Sequence, residues 1–426
     1  MVLNFKNILN SVKSNSFLQN VAILSSGTVI SQLIVIATSP LLSRMYSVES
    51  FGILSIFTSF TVFLAVLSTG RYELAVGLPK EDGRASAIFK LIIYIAVSVS
   101  SLYFVLILLL KNVFHIHDKT QFLSNNEVYI APLYIFFGAV YSALGYWNQR
   151  NKKYKKITFS NAIQVITSCL FSIIFGILGY KNGMIVGMIL GVFSSILYLL
   201  LTDKELRAFL KSHHNELKSV AKEYSSFPKY MIVSDMSLAA CQQFIPILFS
   251  VLYNTTIVGF FSMANRMIRL PNIVITTSVG NVFRNEAIDE IREKGNCKDL
   301  YRSTIKKLVL MSFPIYLVVF IISPKLFTFV FGDKWEVAGY FARILSVMLL
   351  IEFVVTPLNT LFYVVGKQKI LMRLQVANAL LVFISIYSGY YFFSDYYISL
   401  ILFSGVSILS NIIFLIFTNK LSKGVH

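Results

Sequence analysis

The chain has 426 residues, of which 56% are hydrophobic and only 14% are charged, and its formal net charge is +18. A soluble domain usually carries about 25% charged residues, whereas the mean hydropathy of this chain is +0.70. The composition therefore excludes an ordinary soluble domain and favours an integral membrane protein with basic loops.

Apolar segments recur along the whole chain, and each is long enough to cross a bilayer, which takes about 20 residues. We predict spans at 21–43, 51–70, 87–110, 128–147, 158–179, 184–202, 231–253, 257–282, 306–330, 338–363, 370–393 and 398–418. The first span is too long for a cleaved signal peptide, and no small-residue cleavage site follows it. The sequence thus predicts an all-α integral membrane protein with twelve transmembrane helices.

The distribution of Lys and Arg predicts the orientation of these spans. Most basic residues fall in the segments that lie inside when both termini are cytoplasmic, as the positive-inside rule requires. The charge is divided among short loops such as Asn148–Lys156, which favours anionic membrane lipids as partners and argues against nucleic acid.

The polar segments divide the chain into three parts. We predict an N-terminal six-helix lobe at 1–202, a cytoplasmic linker at 203–230 and a C-terminal six-helix lobe at 231–426. Apolar residues in the linker, such as Leu206, Leu210 and Leu217, recur at helical spacing. We therefore expect an amphipathic helix on the inner membrane surface.

One short pattern is written twice, about half a chain length apart. Ser43–Ile56 and Ser250–Met263 share Ser, Tyr, Gly and Ser at the same four positions. The first segment joins predicted spans 1 and 2, and the second joins spans 7 and 8. Both corners face outward, which predicts a parallel repeat of the kind found in secondary transporters, whose substrate sites lie between the halves.

Predicted span 8 carries a polar stripe. Its members fall within an arc of about 120° on a regular helix and are Ser262, Asn265, Arg266, Arg269, Asn272 and Thr276. Arg266 would lie roughly 14 Å below the outer surface, at about 1.5 Å per residue. Because an arginine at such depth costs about 3 kcal/mol on insertion scales, two on one face indicate water or an anion beside them. The alternative is that they pair with buried carboxylates for a structural purpose.

Polar stripes also mark spans 1, 2, 7 and 10. The residues singled out there are Gln32, Glu73, Asp235, Gln242 and Glu352. Asp235 lies one turn inside span 7, where an acid also suits a helix N-terminus, so binding and capping stay open for it. Arg71 points away from the span 2 stripe near the inner rim, and we expect it to reach the lipid headgroups. Arg343, opposite Glu352 on span 10, is predicted to anchor the outer rim.

Three stretches carry a family resemblance. GFFSMANRMIRLP (Gly259–Pro271), FPKYMIVSD (Phe227–Asp235) and RYELAVGLPKED (Arg71–Asp82) resemble the Wzx-type polysaccharide flippases of the multidrug/oligosaccharidyl-lipid/polysaccharide exporter superfamily. The resemblance covers nearly the whole chain. It implies a two-lobed, MATE-like, V-shaped transporter of the bacterial inner membrane.

The resemblance also implies a function. Such proteins flip undecaprenyl-diphosphate-linked oligosaccharide repeat units by alternating access, for O-antigen or capsule biosynthesis. Arg266 and Arg269 match the cavity arginines that are thought to hold the diphosphate in the family. The matching face of span 2 carries no comparable cation. A glycan polymerase and other export proteins are the expected protein partners.

The residue types agree with this function. A guanidinium fork suits phosphate oxygens, so Arg266 and Arg269 are predicted to bind the diphosphate. The amides of Asn265, Asn272, Gln32 and Gln242 are candidates for the sugar hydroxyls. The carboxylates of Glu352, Asp235 and Glu73 are candidates for ion coupling. No nucleotide loop, metal-ligand spacing or nucleophile–base set is recognisable, so we expect no metal, no cofactor and no enzymatic activity.

Two other functions stay open at this point. One is an ion-coupled multidrug antiporter of the same superfamily. The net positive charge of the predicted cavity argues against the transport of cationic drugs. The other is a membrane glycan polymerase or ligase. Such enzymes usually need a large outer loop, whereas the longest predicted outer segment here is Lys111–Glu127.

Overall fold

The computed structural model describes residues 16–113, 126–203 and 217–424, and the regular structure in these ranges is helical, without strands. In chain order the helices are α1 Ser16–Met45, α2 Val48–Ser68, α3 Asp82–Leu108, α4 Ala131–Arg150, α5 Tyr154–Ile177, α6 Gly183–Thr202, α7 Leu217–Glu223, α8 Ile232–Leu252, α9 Thr255–Ile268, α10 Thr277–Lys294, α11 Lys298–Phe331, α12 Glu336–Leu358, α13 Leu361–Val364, α14 Gln368–Phe393 and α15 Tyr396–Ser422. The predicted all-α fold is confirmed.

Apolar helices of membrane-spanning length dominate the described ranges. Nine stretches are long and apolar enough to cross a bilayer. They are Val48–Ser68, Asp82–Lys111, Asn126–Arg150, Tyr154–Ile177, Gly183–Thr202, Lys298–Phe331, Asp333–Val364, Gln368–Phe393 and Tyr396–Ser422. Two shorter apolar stretches, Val29–Met45 and Gln243–Leu252, lie within α1 and α8. The prediction of twelve membrane-spanning helices is compatible with this arrangement and stays a prediction.

The chain forms two compact units, Met1–Phe244 and Ile245–His426. The boundary falls inside α8, whose first half packs with the first unit. The predicted division at 202 and 231 remains a prediction. Residues 204–216 of the predicted linker lie outside the described ranges. Its described end, α7, packs on α3 and buries Val220 completely.

Small residues let the helices of the first unit approach closely. The strongest packing there is between α5 and α6, with α1 against α5 and α3 against α4. A Cβ atom on Gly187 would lie 2.5 Å from Ser172 Oγ, and one on Gly191 would lie 2.5 Å from Gln164 O. In lipid, where apolar burial does not drive helix association, such close backbone contact is a main source of packing energy.

Helix α12 lies at the centre of the second unit, with α9, α10, α11 and α15 packed around it. Within α11, Pro324 has no N–H and therefore leaves the carbonyl of Phe320 without its usual helical donor. Arg343 of α12 supplies one, because its Nε donates to Phe320 O at 2.9 Å. Arg343, predicted to anchor the outer rim, thus bonds to the backbone of α11.

The segment predicted as one span at 257–282 is interrupted. Helix α9 ends at Ile268, a wider helical turn follows at Asn272–Thr276, and α10 then continues to Lys294. Pro271 explains the break, since it cannot donate a backbone hydrogen bond and its ring disturbs the preceding turn. The regular 100° spacing assumed for predicted span 8 therefore does not apply beyond Arg269, whereas the span at 257–282 stays a prediction.

The repeated corner has the same construction in both units. Ser47 Oγ accepts from Ser50 N at 3.1 Å at the start of α2, and Asn254 Oδ1 accepts from Ile257 N at 3.0 Å at the start of α9. Each is a side-chain cap that satisfies an otherwise unpaired N–H of the first helical turn.

The tyrosine that recurs in both corners contacts another helical hairpin of its own unit. Tyr46 donates its hydroxyl to Ser172 O on α5 at 2.6 Å. Tyr253 donates to Asp395 O, before α15, at 2.9 Å and lies 2.6 Å from Ser399 Oγ. The repeat therefore encodes a cap together with a tyrosine that attaches the corner to a distant hairpin.

Candidate functional site

The first charged cluster of interest lies where α9 packs against α12. Arg269 follows the last residue of α9, and its Nη1 donates to Glu352 Oε1 of α12 at 2.6 Å. Its Nε donates to Asn265 Oδ1 at 3.1 Å. About a third of the Arg269 side chain and a quarter of the Glu352 side chain are exposed. The pair is thus well formed but accessible to an incoming group.

Arg266 lies three residues before Arg269, and its side chain is exposed. Residues three apart on a helix are neighbours on its surface. The two guanidinium groups therefore extend from one side of α9 near its end. Glu352 contacts Arg269 of this pair, and the formal charges of Arg266, Arg269 and Glu352 sum to one positive unit.

Asn272 is buried beneath this cluster. Its Nδ2 donates to Leu349 O of α12 at 3.3 Å, and its Oδ1 accepts from the hydroxyl of Tyr316 on α11. Tyr316 is itself almost completely buried. These bonds fix the wide turn after Pro271 to both neighbouring helices. The predicted contact of Asn272 with substrate remains a prediction, and in this structure the side chain serves packing.

A second charged cluster lies entirely in the first unit. Arg71 Nη1 donates to Glu73 Oε1 at 3.0 Å, and Arg71 Nη2 pairs with Asp235 Oδ2 near the start of α8. The expectation that Arg71 extends to lipid headgroups was therefore wrong. Two carboxylates within reach hold the guanidinium more strongly than an exposed interface would.

The backbone of Arg71 is held in an uncommon conformation. Gly70 and Arg71 have φ of 59° and 60°, in the left-handed region that non-glycine residues rarely adopt. The Thr69 hydroxyl accepts from Arg71 N at 3.2 Å, which stabilises the turn. This turn directs the Arg71 side chain towards Glu73 and Asp235 after α2 has ended at Ser68.

Glu73 is the most deeply buried acid of this second cluster, with 1% of the residue exposed. Its Oε2 has no hydrogen-bond partner among the described residues. Burial lowers the pKa of Arg71, but the hydrogen bond and charge of Glu73 and the charge of Asp235 outweigh it, so the pKa is raised. Arg71 therefore stays charged, and the cluster carries one negative unit while both acids are ionised.

The remaining predicted residues are not brought into these clusters by any described contact. Gln32 is half-buried on α1, and the side chain of Gln242 lies outside what the structure describes. No group of three His, Cys, Asp or Glu side chains suited to a metal ion occurs in the described ranges. The sequence reasoning missed Arg71 as an ion-pair partner and Tyr316 altogether. In the sequence, only the Gly70–Arg71 pair shortly before an acidic residue could have indicated the ion pair of Arg71.

A model of the family described as polysaccharide biosynthesis protein matches residues 41–340, which is more than half of the chain. No curated protein sequence matches the chain.

Solved structures of similar fold include transporters of the MOP superfamily and a lipid II flippase. An inward-facing multidrug resistance MATE family transporter has a TM-score of 0.66 at 12% identity, covering 91% of this chain and 93% of the other. The lipid II flippase MurJ in an inward closed conformation has a TM-score of 0.66 at 16% identity, covering 93% and 87%. A MOP superfamily transporter from Pyrococcus furiosus has a TM-score of 0.58 at 13% identity, covering 95% and 96%.

The fold and the apolar helices indicate a multi-pass membrane protein with the MATE- and MurJ-like fold that the resemblance implied. The chain belongs to the polysaccharide biosynthesis protein family.

Proposed function

We propose that this protein is a flippase that moves undecaprenyl-diphosphate-linked oligosaccharide repeat units across the bacterial inner membrane by alternating access. The product would serve O-antigen or capsule biosynthesis. Both termini would be cytoplasmic, as the distribution of Lys and Arg indicates. Anionic lipids, a glycan polymerase and other export proteins are the proposed partners.

The observation that carries the proposal is the arginine pair of α9 in a member of a polysaccharide biosynthesis family. Arg266 is exposed, and Arg269 is partly exposed beside a single carboxylate. A diphosphate offers several anionic oxygens, and a guanidinium binds such oxygens through two parallel N–H groups. An anion of higher charge than Glu352 could therefore take the place of this carboxylate at Arg269.

The carboxylates supply candidates for energy coupling. When a diphosphate displaces Glu352 from Arg269, the freed carboxylate has lost its positive partner and becomes available to a coupling ion. Asp235 and Glu73 are paired with Arg71 in the same way, and displacement from Arg71 would free them as well. We assign Glu352 the leading role in coupling, since it lies in the same cluster as the proposed phosphate ligands.

The test is the loss of transport in arginine variants. In a strain that lacks the chromosomal copy, Arg266→Ala and Arg269→Ala should lower surface polysaccharide and raise the pool of lipid-linked repeat units, identified by mass. A charge-assisted contact contributes about 1.5–3 kcal/mol, so the loss of one should weaken substrate binding by about tenfold or more. Arg269→Lys should be intermediate, since it keeps the charge and loses the fork.

Arg343→Ala is the matched control, because Arg343 lies in the same unit but bonds to the backbone of α11. It should affect protein yield more than the transport activity of each correctly inserted molecule. Normal export by Arg266→Ala and Arg269→Ala proteins at normal membrane levels would contradict the proposal. Poor insertion of Arg269→Ala together with full activity of Arg269→Gln would indicate a structural role for the ion pair.

The fold shared with a multidrug resistance transporter keeps drug export as the second candidate. Expression in a drug-sensitive host distinguishes the two functions. A flippase should leave the tolerance of cationic drugs unchanged and restore polysaccharide in the deletion strain. Increased tolerance without restoration would favour the antiporter.

A further inference from the structure

A pocket of about 450 Å³ in the first unit lies between the α1–α2 corner and the α5–α6 turn. It is far along the helices from the Arg71 turn, since α2 separates the two. By the predicted topology this end of the unit faces outward. The volume falls within the usual range for small-molecule sites, about 300–1,000 Å³. No residue predicted to bind substrate lines it.

The walls of the pocket are held by contacts already described. Tyr46, which lines the pocket, is fixed by its bond to Ser172 O at 2.6 Å. Ser47 caps α2 and lies 3.0 Å from the hydroxyl of Ser50. Gly183 passes so close to Tyr46 that an added Cβ would lie 2.5 Å from the tyrosine hydroxyl. The pocket is therefore preformed and needs no large rearrangement to accept a ligand.

Asn182 provides an unsatisfied polar group in this pocket. Its Oδ1 is buried without a hydrogen-bond partner among the described residues. The residue precedes α6 but does not cap the helix with its side chain. A buried carbonyl oxygen without a donor is unfavourable, and a ligand hydroxyl group could supply the missing hydrogen bond.

The other lining groups complement Asn182. Glu49 can accept hydrogen bonds and Lys181 can donate them, and both side chains are exposed at the pocket. Their charges cancel, which disfavours a simple ion as the ligand. Tyr180 leaves 64% of its surface exposed and so offers an aromatic ring to an apolar face.

We propose that this pocket binds a pyranose sugar, through hydrogen bonds to Asn182, Glu49 and Lys181 and through contact of the sugar ring with Tyr180. A pyranose presents hydroxyl donors and acceptors around its edge and C–H groups on its faces, which matches this set of side chains. The volume accommodates a monosaccharide or disaccharide. The inference rests on the proposed function in one respect, namely that the sugar belongs to the translocated glycan after it reaches the outer side.

Saturation-transfer NMR on the purified full chain tests the site. The probes are methyl glycosides of glucose, galactose, N-acetylglucosamine and N-acetylgalactosamine, and at least one should receive saturation from the protein. Asn182→Ala and Tyr180→Ala should each weaken the binding of that probe by about tenfold, the equivalent of about 1.4 kcal/mol. Tyr94→Ala is the matched control, since Tyr94 is similarly exposed, at 62%, on α3 away from the pocket.

Absence of saturation transfer to every probe, or equal binding by the Asn182→Ala and Tyr94→Ala proteins, would overturn the proposal. Extracted lipid-linked oligosaccharide should displace the bound glycoside, and failure to do so would assign the site to free saccharides. The inference and the proposed function fail separately. Glycoside binding without flipping would contradict the proposed flippase function, whereas flipping without glycoside binding would contradict the proposed sugar pocket.

Discussion

At the scale of single residues, each unit contains an arginine–carboxylate cluster. Arg269 binds Glu352 and Asn265, and Arg71 binds Glu73 and Asp235. Because the Arg269 pair is partly exposed, its contribution to stability is modest, and its replacement by another anion costs little. Glu73 differs, since its burial makes the loss of Arg71 far more costly.

Glu352→Gln is the sharpest residue-scale test of coupling. The amide keeps the size of the side chain and can still accept from Arg269, but it cannot take up a proton or balance a cation. We expect reduced transport at unchanged membrane levels, together with a weaker dependence on external pH or sodium. Transport is measured as surface polysaccharide formed after induction of the variant.

Glu336→Gln provides the control for that measurement, because Glu336 lies on the same helix at its exposed start. Its transport should match that of the wild type. If Glu352→Gln also transports normally at every pH and sodium concentration, Glu352 is not the coupling group, and Glu73 and Asp235 remain.

At the scale of elements, Pro271 and the repeated corners determine how the helices connect. Pro271 breaks the helix shortly after α9 ends at Ile268, so the Arg269 side chain extends from a helix terminus and reaches its carboxylate partner on α12. The repeated corners, in contrast, contain residues that begin helices. Ser47 and Asn254 start α2 and α9 with side-chain caps, and Tyr46 and Tyr253 attach each start to a second hairpin.

Tyr46→Phe and Tyr253→Phe test the role of the corners. Each change removes only a hydroxyl and leaves a carbonyl acceptor without its donor, which costs about 1 kcal/mol or somewhat more. We expect the melting temperature of the detergent-solubilised protein to fall by a few degrees in each variant. The fall should be larger for Tyr253→Phe, whose hydroxyl contacts both Asp395 O and Ser399 Oγ.

Tyr391→Phe is the corresponding control, since Tyr391 is 67% exposed on α14 and its ring is retained. Its melting temperature should equal that of the wild type. Equal melting temperatures for all three variants would show that the tyrosine hydroxyls of the corners do not stabilise the units.

At the scale of the whole molecule, two compact helical units each bury their own core and carry their own charged cluster. Most basic residues fall in the segments that lie inside when both termini are cytoplasmic, and the positive-inside rule predicts the orientation of the chain from this distribution. Cys297 lies in the turn between α10 and α11, where its N–H donates to Ser422 O at 2.9 Å. Burial, with a smaller effect of the Glu290 charge, raises the pKa of this thiol to about 11.

Thiol labelling tests the orientation, in a background where Cys241 is replaced by serine. Thr256→Cys should react with a membrane-impermeant maleimide on intact cells, whereas Lys155→Cys should react only after the cells are permeabilised. Cys297 should stay unlabelled at neutral pH in both cases. The thiolate is the reactive form, and with a raised pKa it becomes abundant only as the pH approaches 11.

The reverse labelling pattern would overturn the proposed topology. Labelling of Cys297 at neutral pH in permeabilised cells would contradict its burial. Labelling of unfolded protein provides the reference, since there the thiol titrates near its ordinary pKa and reacts readily.

Much of the site could be anticipated because its chemistry is costly in a membrane. Arginines and carboxylates in apolar segments are rare, so Arg269, Glu352, Glu73 and Asp235 were visible in the sequence as candidates. Their partners were not visible. Arg71 was placed at the headgroups because helical periodicity ends at the break after α2, and no periodicity specifies the direction of a side chain in a left-handed turn.

The sequence by itself determined the class of this protein: apolar segments of bilayer length require helices, since lipid offers no partner for unpaired backbone groups. It also determined the repeated corners, because a cap and its tyrosine are local patterns. Only the tertiary structure decided that Arg269 pairs with Glu352, that Asn272 is used for packing with Tyr316, and that a polar pocket forms beside Tyr46. These contacts join residues far apart in the chain, and helix packing, which depends on the fit of many side chains at once, brings them together.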